Sequence, residues 1–171
     1  MTGSVRTHRL AANGLSFAVD EWGEGDQVAL LLHGFPKSRV AWARLGPKLA
    51  ALGWRVAAPD LRGYGDSSRP GDRGAYRLAH LTADVRALFE ALGARRGGSG
   101  RRILIGHDWG GIIAWAAAME SGLDLDGLAI LNAPHPAVYQ RVARRNLRQL
   151  ARSWYVFAFQ LPRLPGAQLR R

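Results

Sequence analysis

The 171-residue sequence contains no cysteine. That absence removes disulfide scaffolds, thiolate zinc sites, iron–sulfur clusters and cysteine nucleophiles, and leaves the redox compartment open. Lysine is scarce: Lys37 and Lys48 are the only two among 24 basic residues, the rest being arginine. No uninterrupted apolar run approaches the ~18 residues that a spanning helix requires, so no membrane segment is expected. The opening residues Met1 to Arg9 lack the basic-then-apolar grammar of a signal peptide, and a cytoplasmic location is the resulting expectation. Acidic residues disappear from Leu128 onward, where eight arginines stand; up to Gly127 the count is 16 basic against 13 acidic. The formal net charge of +11 is therefore a property of the tail. Such a block reads either as a surface for nucleic acid or anionic membrane, or as arginines facing acidic groups outside this sequence.

What is present is a globular composition, 47% hydrophobic and 22% charged with a mean hydropathy of −0.13. This excludes disordered and collagen-like chains, and the length suits one compact domain or slightly more. Leu15 to Trp22 alternates apolar and polar as a half-buried strand, and Gln27 to Leu32 is an apolar run of strand length. A helix is expected over Val40 to Leu52, with Gly53 at its end, and a strand over Trp54 to Ala58. The glycine-rich stretch after Pro59-Asp60 reads as a loop reaching about Tyr76. From Leu81 an amphipathic helix carries Val85, Leu88, Phe89 and Leu92. Ile103 to Ile105 is a short strand, Gly110 to Met119 a buried helix, and Leu128 to Leu131 a further strand. Strands alternating with helices predict an α/β fold with a mainly parallel sheet flanked by helices. Beyond it, Tyr139, Val142, Leu147, Leu150, Trp154 and Phe157 form an apolar stripe with Arg141, Arg144, Arg145, Arg148 and Arg152 off it, a basic amphipathic helix.

The sharpest chemical signal is Gly106-His107-Asp108-Trp109-Gly110-Gly111, between a strand and an Ala-rich helix. A reacting side chain on a tight strand-to-helix turn is pushed outward, and small neighbours such as Gly110 relieve the crowding. Asp108 therefore reads as a nucleophile; as a favoured capping residue it reads equally well as the cap of the following helix. His33-Gly34-Phe35-Pro36 follows an earlier strand and so lies at the same carboxyl edge of the sheet. Backbone amides of Phe35 and Trp109 are the candidate oxyanion donors, while His33 is expected to be a satisfied structural histidine. Gly97-Gly98-Ser99-Gly100 lacks the Lys-Ser/Thr ending of a phosphate loop, and no nucleic-acid motif is found.

Taken together, Leu31 to Pro36 with Ser38 and Trp42, Ala58 to Ser67, Gly106 to Gly111, Asn132-Ala133-Pro134-His135-Pro136, and Ser153-Trp154-Tyr155 with Phe159-Gln160 resemble the α/β-hydrolase superfamily, and within it the epoxide hydrolases. The resemblance implies that Asp108 attacks an epoxide carbon to form an alkyl-enzyme ester, that Tyr155 is an acid for the epoxide oxygen, and that no metal or organic cofactor is needed. It implies a small-molecule epoxide or related electrophile as partner, with neither nucleic acid nor membrane. Haloalkane dehalogenases are the nearest competing class, but they commonly carry Asn where this sequence has Phe35; fluoroacetate dehalogenases usually place Arg where it has Trp109. A non-catalytic binding module using the basic C-terminal helix is the rival from another class.

The resemblance also implies a histidine base and its acid, which normally lie beyond the cap; none of His8, His33, His80, His107 or His135 takes that place. The expectation is an N-terminal fragment, incomplete on its C-terminal side, with residues 1–137 as hydrolase core and 138–171 as the start of a helical cap. Two consequences are expected: an apolar edge at Leu128 to Leu131 open to self-association, and no multiple turnover by this chain alone.

Overall fold

A computed structural model describes residues 4–93, 100–120 and 122–145. By contacts the chain divides into two units, Met1–Ala133 and Pro134–Arg171. The first holds a six-stranded sheet built from β1 (Arg6–Ala12), β2 (Leu15–Trp22), β3 (Val28–Leu32), β4 (Arg55–Pro59), β5 (Arg102–His107) and β6 (Gly127–Leu131), in the order β1-β2-β4-β3-β5-β6. The β4-β3-β5-β6 pairs are parallel, and β1 and β2 add an antiparallel edge. Helices α1 (Gly46–Ala51), α2 (Leu78–Ala91) and α3 (Trp109–Met119) complete this unit. The expected α/β architecture is the one observed.

β3 sits at the centre because all five of its residues are apolar and all five are buried. Its period-two alternation splits them between two cores. Val28, Leu30 and Leu32 share one cluster with Val85, Leu88 and Phe89 of α2 and Ile113, Ala114 and Ala117 of α3. Ala29 and Leu31 share the other with Trp22, Trp42, Val56, Ala58 and Ile105. Each fully buried Leu or Phe contributes on the order of 1.5–3 kcal/mol relative to exposure. The α3 sequence, apolar nearly all round, is what a helix laid against a sheet requires.

Val40 to Leu52 is not one helix: a 3-10 turn spans Arg39–Trp42 and α1 begins only at Gly46, with Pro47 in its first turn. Proline has no N–H to continue a preceding turn and favours a fresh helix start. β1 has no counterpart among the expected strands, although Asn13-Gly14, both at positive φ, is the signature of a two-residue hairpin turn. A second 3-10 turn, Arg73–Tyr76, interrupts the long loop, and α2 begins at Leu78, ahead of Leu81. β6 lies at the end of the strand order, with Leu131 exposed. In the second unit, α4 (Pro136–Arg145) is described; Leu147, Leu150, Trp154 and Phe157 of the apolar stripe, with Arg148 and Arg152 beside it, lie outside the described residues.

Buried charges in the first unit are paired. The Arg62 guanidinium meets Asp84 through Nε at 2.8 Å and Nη2 at 2.6 Å, and the Asn13 side chain donates to the same carboxylate at 2.7 Å. Hydrogen bonding to the Asp84 carboxylate, working against burial, raises the Arg62 pKa above its ordinary value. Removing one member of a buried pair leaves the other charge uncompensated. Asp84→Ala is therefore expected to cost about 3–5 kcal/mol in denaturant unfolding, and a loss under about 1 kcal/mol would show that the pair does not anchor α2 to this loop.

Candidate active site

β3 and β5 are adjacent and parallel, so the segments leaving their carboxyl ends emerge side by side. From β5 comes Asp108, at φ 53° and ψ −117°, a conformation that non-glycine residues rarely adopt and that costs on the order of 1–3 kcal/mol. The surrounding structure enforces it: the Asp108 amide donates to Leu131 O at 3.0 Å, and its carbonyl accepts from Ile112 N at 3.1 Å. Its carboxylate makes no capping bond to α3. Instead Oδ1 accepts the Phe35 N–H at 2.9 Å. The helix-cap alternative for Asp108 is thereby set aside, because the side chain turns away from its own helix toward the neighbouring loop.

Two glycines make this approach possible. A Cβ on Gly34 would stand 2.5 Å from Asp108 Cβ and 2.6 Å from Oδ1. A Cβ on Gly110 would collide with Leu32 O and lie 2.5 Å from His33 O, forcing the first turn of α3 off β3. Pro36 follows through a cis peptide from Phe35. Phe35 and Trp109 are both exposed at about 40%. Of the two amides expected to face the carboxylate, the hydrogen bond comes from Phe35 and none from Trp109. The Phe35 amide reaches the carboxylate from the facing loop, which the parallel pairing of β3 and β5 sets beside Asp108. His107 closes β5, partly buried and in register with Leu131. Tyr155 lies outside the described residues.

His33 is fully buried. Leu61 N–H donates to its Nε2 at 3.0 Å, so the proton sits on Nδ1, which meets Gly34 O at 3.0 Å. Burial outweighs the opposing effects of Gly34 O and Asp60 and pushes its pKa below the ordinary histidine value. A neutral imidazole with both nitrogens engaged has no lone pair left to act as a base.

The loop after β4 supplies side chains that the sequence reading quoted but gave no role. Fully buried Asp60 accepts the Arg39 amide at 2.7 Å and the Asp66 amide at 3.0 Å, and binds the Arg39 guanidinium. Arg39 also reaches Asp20 at 3.2 Å and Asp66 at 3.0 Å, and burial is outweighed by Asp60 first, then by Asp66 and Asp20, which raise its pKa. Arg39 thus ties the segment after Pro36 to the β4 loop. Tyr64, from the same loop, packs edge-on against His33, ring centroids 5.0 Å apart at 74°. Burial, and then the negative charge of Asp108, raise the pKa of its phenol. The cue was a dense run of glycine and charge directly after a buried strand, Asp60 to Ser67. Among the described residues no group of His, Asp and Glu is arranged to hold a metal ion, and no helix is long and apolar enough to cross a membrane.

Residues 28–170 match the family model described as the alpha/beta hydrolase fold. The chain belongs to that family. This α/β hydrolase is 39% identical over 166 residues to epoxide hydrolase 4 of Mus musculus, covering 95% of this chain and 45% of that one. It is 36% identical to epoxide hydrolase A of Mycobacterium tuberculosis, covering 95% and 50%. Among solved structures, an epoxide hydrolase from metagenomes of hot environments superposes with a TM-score of 0.81 at 35% identity, covering 95% of this chain and 53% of its own. One from Vigna radiata gives 0.75 at 32%, covering 93% and 50%. The chain spans about half the length of the relatives it matches.

A histidine whose folded pKa is lowered contributes stability that is complete above the ordinary histidine range and declines as pH falls below it. In 15N NMR, His33 is expected to keep the Nδ1–H tautomer as pH drops through about 6.5; conversion to imidazolium near that pH would contradict the buried, doubly bonded ring.

Proposed function

We propose that this chain carries the nucleophile half of an epoxide hydrolase site, with Asp108 as the nucleophile. The observation that carries the reading is the strained carboxylate held by the Phe35 amide rather than by its own helix. With Oδ1 bound to an amide, Oδ2 is the oxygen assigned to attack. It bonds to an epoxide carbon, the carbon–oxygen bond of the ring breaks, and the electron pair goes to the ring oxygen, which takes a proton from the acid. Tyr155 is assigned that acid. The product is an ester between Asp108 and the opened substrate.

Hydrolysis of the ester brings water to the carbonyl carbon and negative charge to Oδ1. The Phe35 amide already points at that oxygen, so its stabilisation needs no reorganisation; Trp109 N–H is the second donor assigned to the tetrahedral state. The names borne by the relatives and structural neighbours support an epoxide as substrate, and the aspartate at position 108 of the strand-to-helix turn supports carboxylate rather than hydroxyl chemistry. His33 serves the loop and not the water. No histidine of this chain is assigned the base, so the ester is expected to persist.

Incubation with a small reactive epoxide should add one substrate mass at Asp108, read by peptide mass spectrometry, and Asp108→Asn should lower the rate by on the order of 10²-fold or more. Absence of the adduct in the folded chain would overturn the nucleophile assignment, and sustained diol production would overturn the assignment of no base. Gly34→Ala, which places a methyl against the Asp108 carboxylate, is expected to slow adduct formation by on the order of 10²-fold; an unchanged rate would show that the close approach is irrelevant to the chemistry.

A further inference from the structure

The bond to Asp108 is made by one peptide unit, that between Gly34 and Phe35. Its N–H donates to Asp108 Oδ1 at 2.9 Å. Its carbonyl, Gly34 O, accepts from Lys37 N at 2.9 Å and from His33 Nδ1 at 3.0 Å. A peptide unit is planar, so whatever fixes the carbonyl also fixes the direction of the N–H. Donors at the carbonyl further polarise the unit and strengthen the N–H as a donor. His33 therefore holds the far end of the group that meets the carboxylate.

The imidazole can do this only if its own plane is fixed. One restraint is the Leu61 N–H on Nε2 at 3.0 Å. Another is the ring of Tyr64, in a T-shaped contact with it. Tyr64 is itself held by its backbone: its N–H donates to Leu61 O at 2.9 Å and its carbonyl accepts from Ser67 N at 3.0 Å. Ser67 in turn is anchored, its Oγ donating to Asp60 O at 2.7 Å and accepting Ala18 N at 2.9 Å. This turn sets the Tyr64 ring in a T-shaped contact with His33, whose side chain meets the carbonyl of the Gly34–Phe35 peptide. The phenol also feels the charge of Asp108, which places the two groups in one electrostatic neighbourhood.

We infer that Tyr64 is a positioning residue of this site: its ring, packed on His33, fixes the Gly34–Phe35 peptide so that the Phe35 amide stays on Asp108. This rests on the reading of Asp108 as the nucleophile. The ring and not the hydroxyl carries the role, since the contact with His33 is a ring contact. Edge-to-face aromatic pairs hold orientation as well as area, and an aliphatic side chain of similar bulk supplies only the area.

The test compares wild type with Tyr64→Leu and Tyr64→Phe, using the rate of adduct formation at Asp108 across epoxide concentrations and backbone hydrogen exchange at Phe35. Tyr64→Leu is expected to lower the limiting rate about tenfold or more while the half-saturating concentration stays within about threefold, because alignment is lost and not binding. Tyr64→Phe is expected to restore the limiting rate. Phe35 exchange should quicken about tenfold in Tyr64→Leu and not in Tyr64→Phe, with the thermal midpoints of the two variants alike. An unchanged limiting rate in Tyr64→Leu overturns the inference, as does an equal fall in both variants, which would place the role in the hydroxyl. If wild type forms no adduct, the nucleophile reading fails on its own, and the exchange comparison still decides whether Tyr64 orients the peptide. Should Tyr64→Leu not fold, Tyr64→Met takes its place in the same comparison.

Discussion

The hydrogen bond from the Phe35 amide to Asp108 joins two positions 73 residues apart in the chain, and most of the surrounding structure exists to make it short and direct. Parallel pairing of β3 and β5 brings the two strand ends to the same edge. The unusual backbone at Asp108 turns the carboxylate outward. Gly34 then allows the facing loop to come within bonding distance, and Gly110 allows α3 to start directly behind β3. A side chain with a Cβ at either glycine would separate the partners before any chemistry began.

Orientation is supplied from a third strand. The loop after β4 reaches across to the segment after β3 through Asp60 and Arg39, and through Leu61 and Tyr64 on His33. Several of these groups are buried and charged or polar, which costs free energy unless every one is partnered. Here the partners are each other, so burial is converted into geometric definition. The site is framed by the carboxyl ends of three neighbouring parallel strands, β4, β3 and β5, where α/β sheets place their ligands.

What the amino-acid order reveals and what it hides follow from how local each cause is. β3, with five consecutive apolar residues, and α3, with apolar residues on every side, announce themselves, because burial on all faces needs no partner to be inferred. Asp108 stands out because a strained turn demands small neighbours at fixed spacing. The true start of α1 is hidden because Val40, Leu45, Leu49 and Leu52 keep helical spacing across a break that Pro47 and the packing of Gly46 against Trp22 impose. β1 is hard to see in the residue order because Arg6, His8 and Arg9 mask a strand whose register is set by the Asn13-Gly14 turn. The roles of Asp60, Arg39 and Tyr64 are illegible from spacing, since each depends on a segment brought near only by the finished sheet. Which loop amide meets Asp108 likewise depends on how the two strand ends are set side by side, to which residue order is blind.

The placement of β2 has a bearing on how the molecule is made. β2 does not pair with β3, its successor, but with β4, Val19 lying opposite Pro59 and Trp22 opposite Val56. The N-terminal hairpin therefore emerges from the ribosome roughly 35 residues before its docking strand, and Asn13 waits longer still for Asp84 on α2. During that interval Phe17, Val19 and Trp22 have no sheet to cover them. The nascent chain must tolerate an orphaned ribbon until β4 arrives, and the arginines along β1 give that ribbon a charged rim against pairing with a neighbour's.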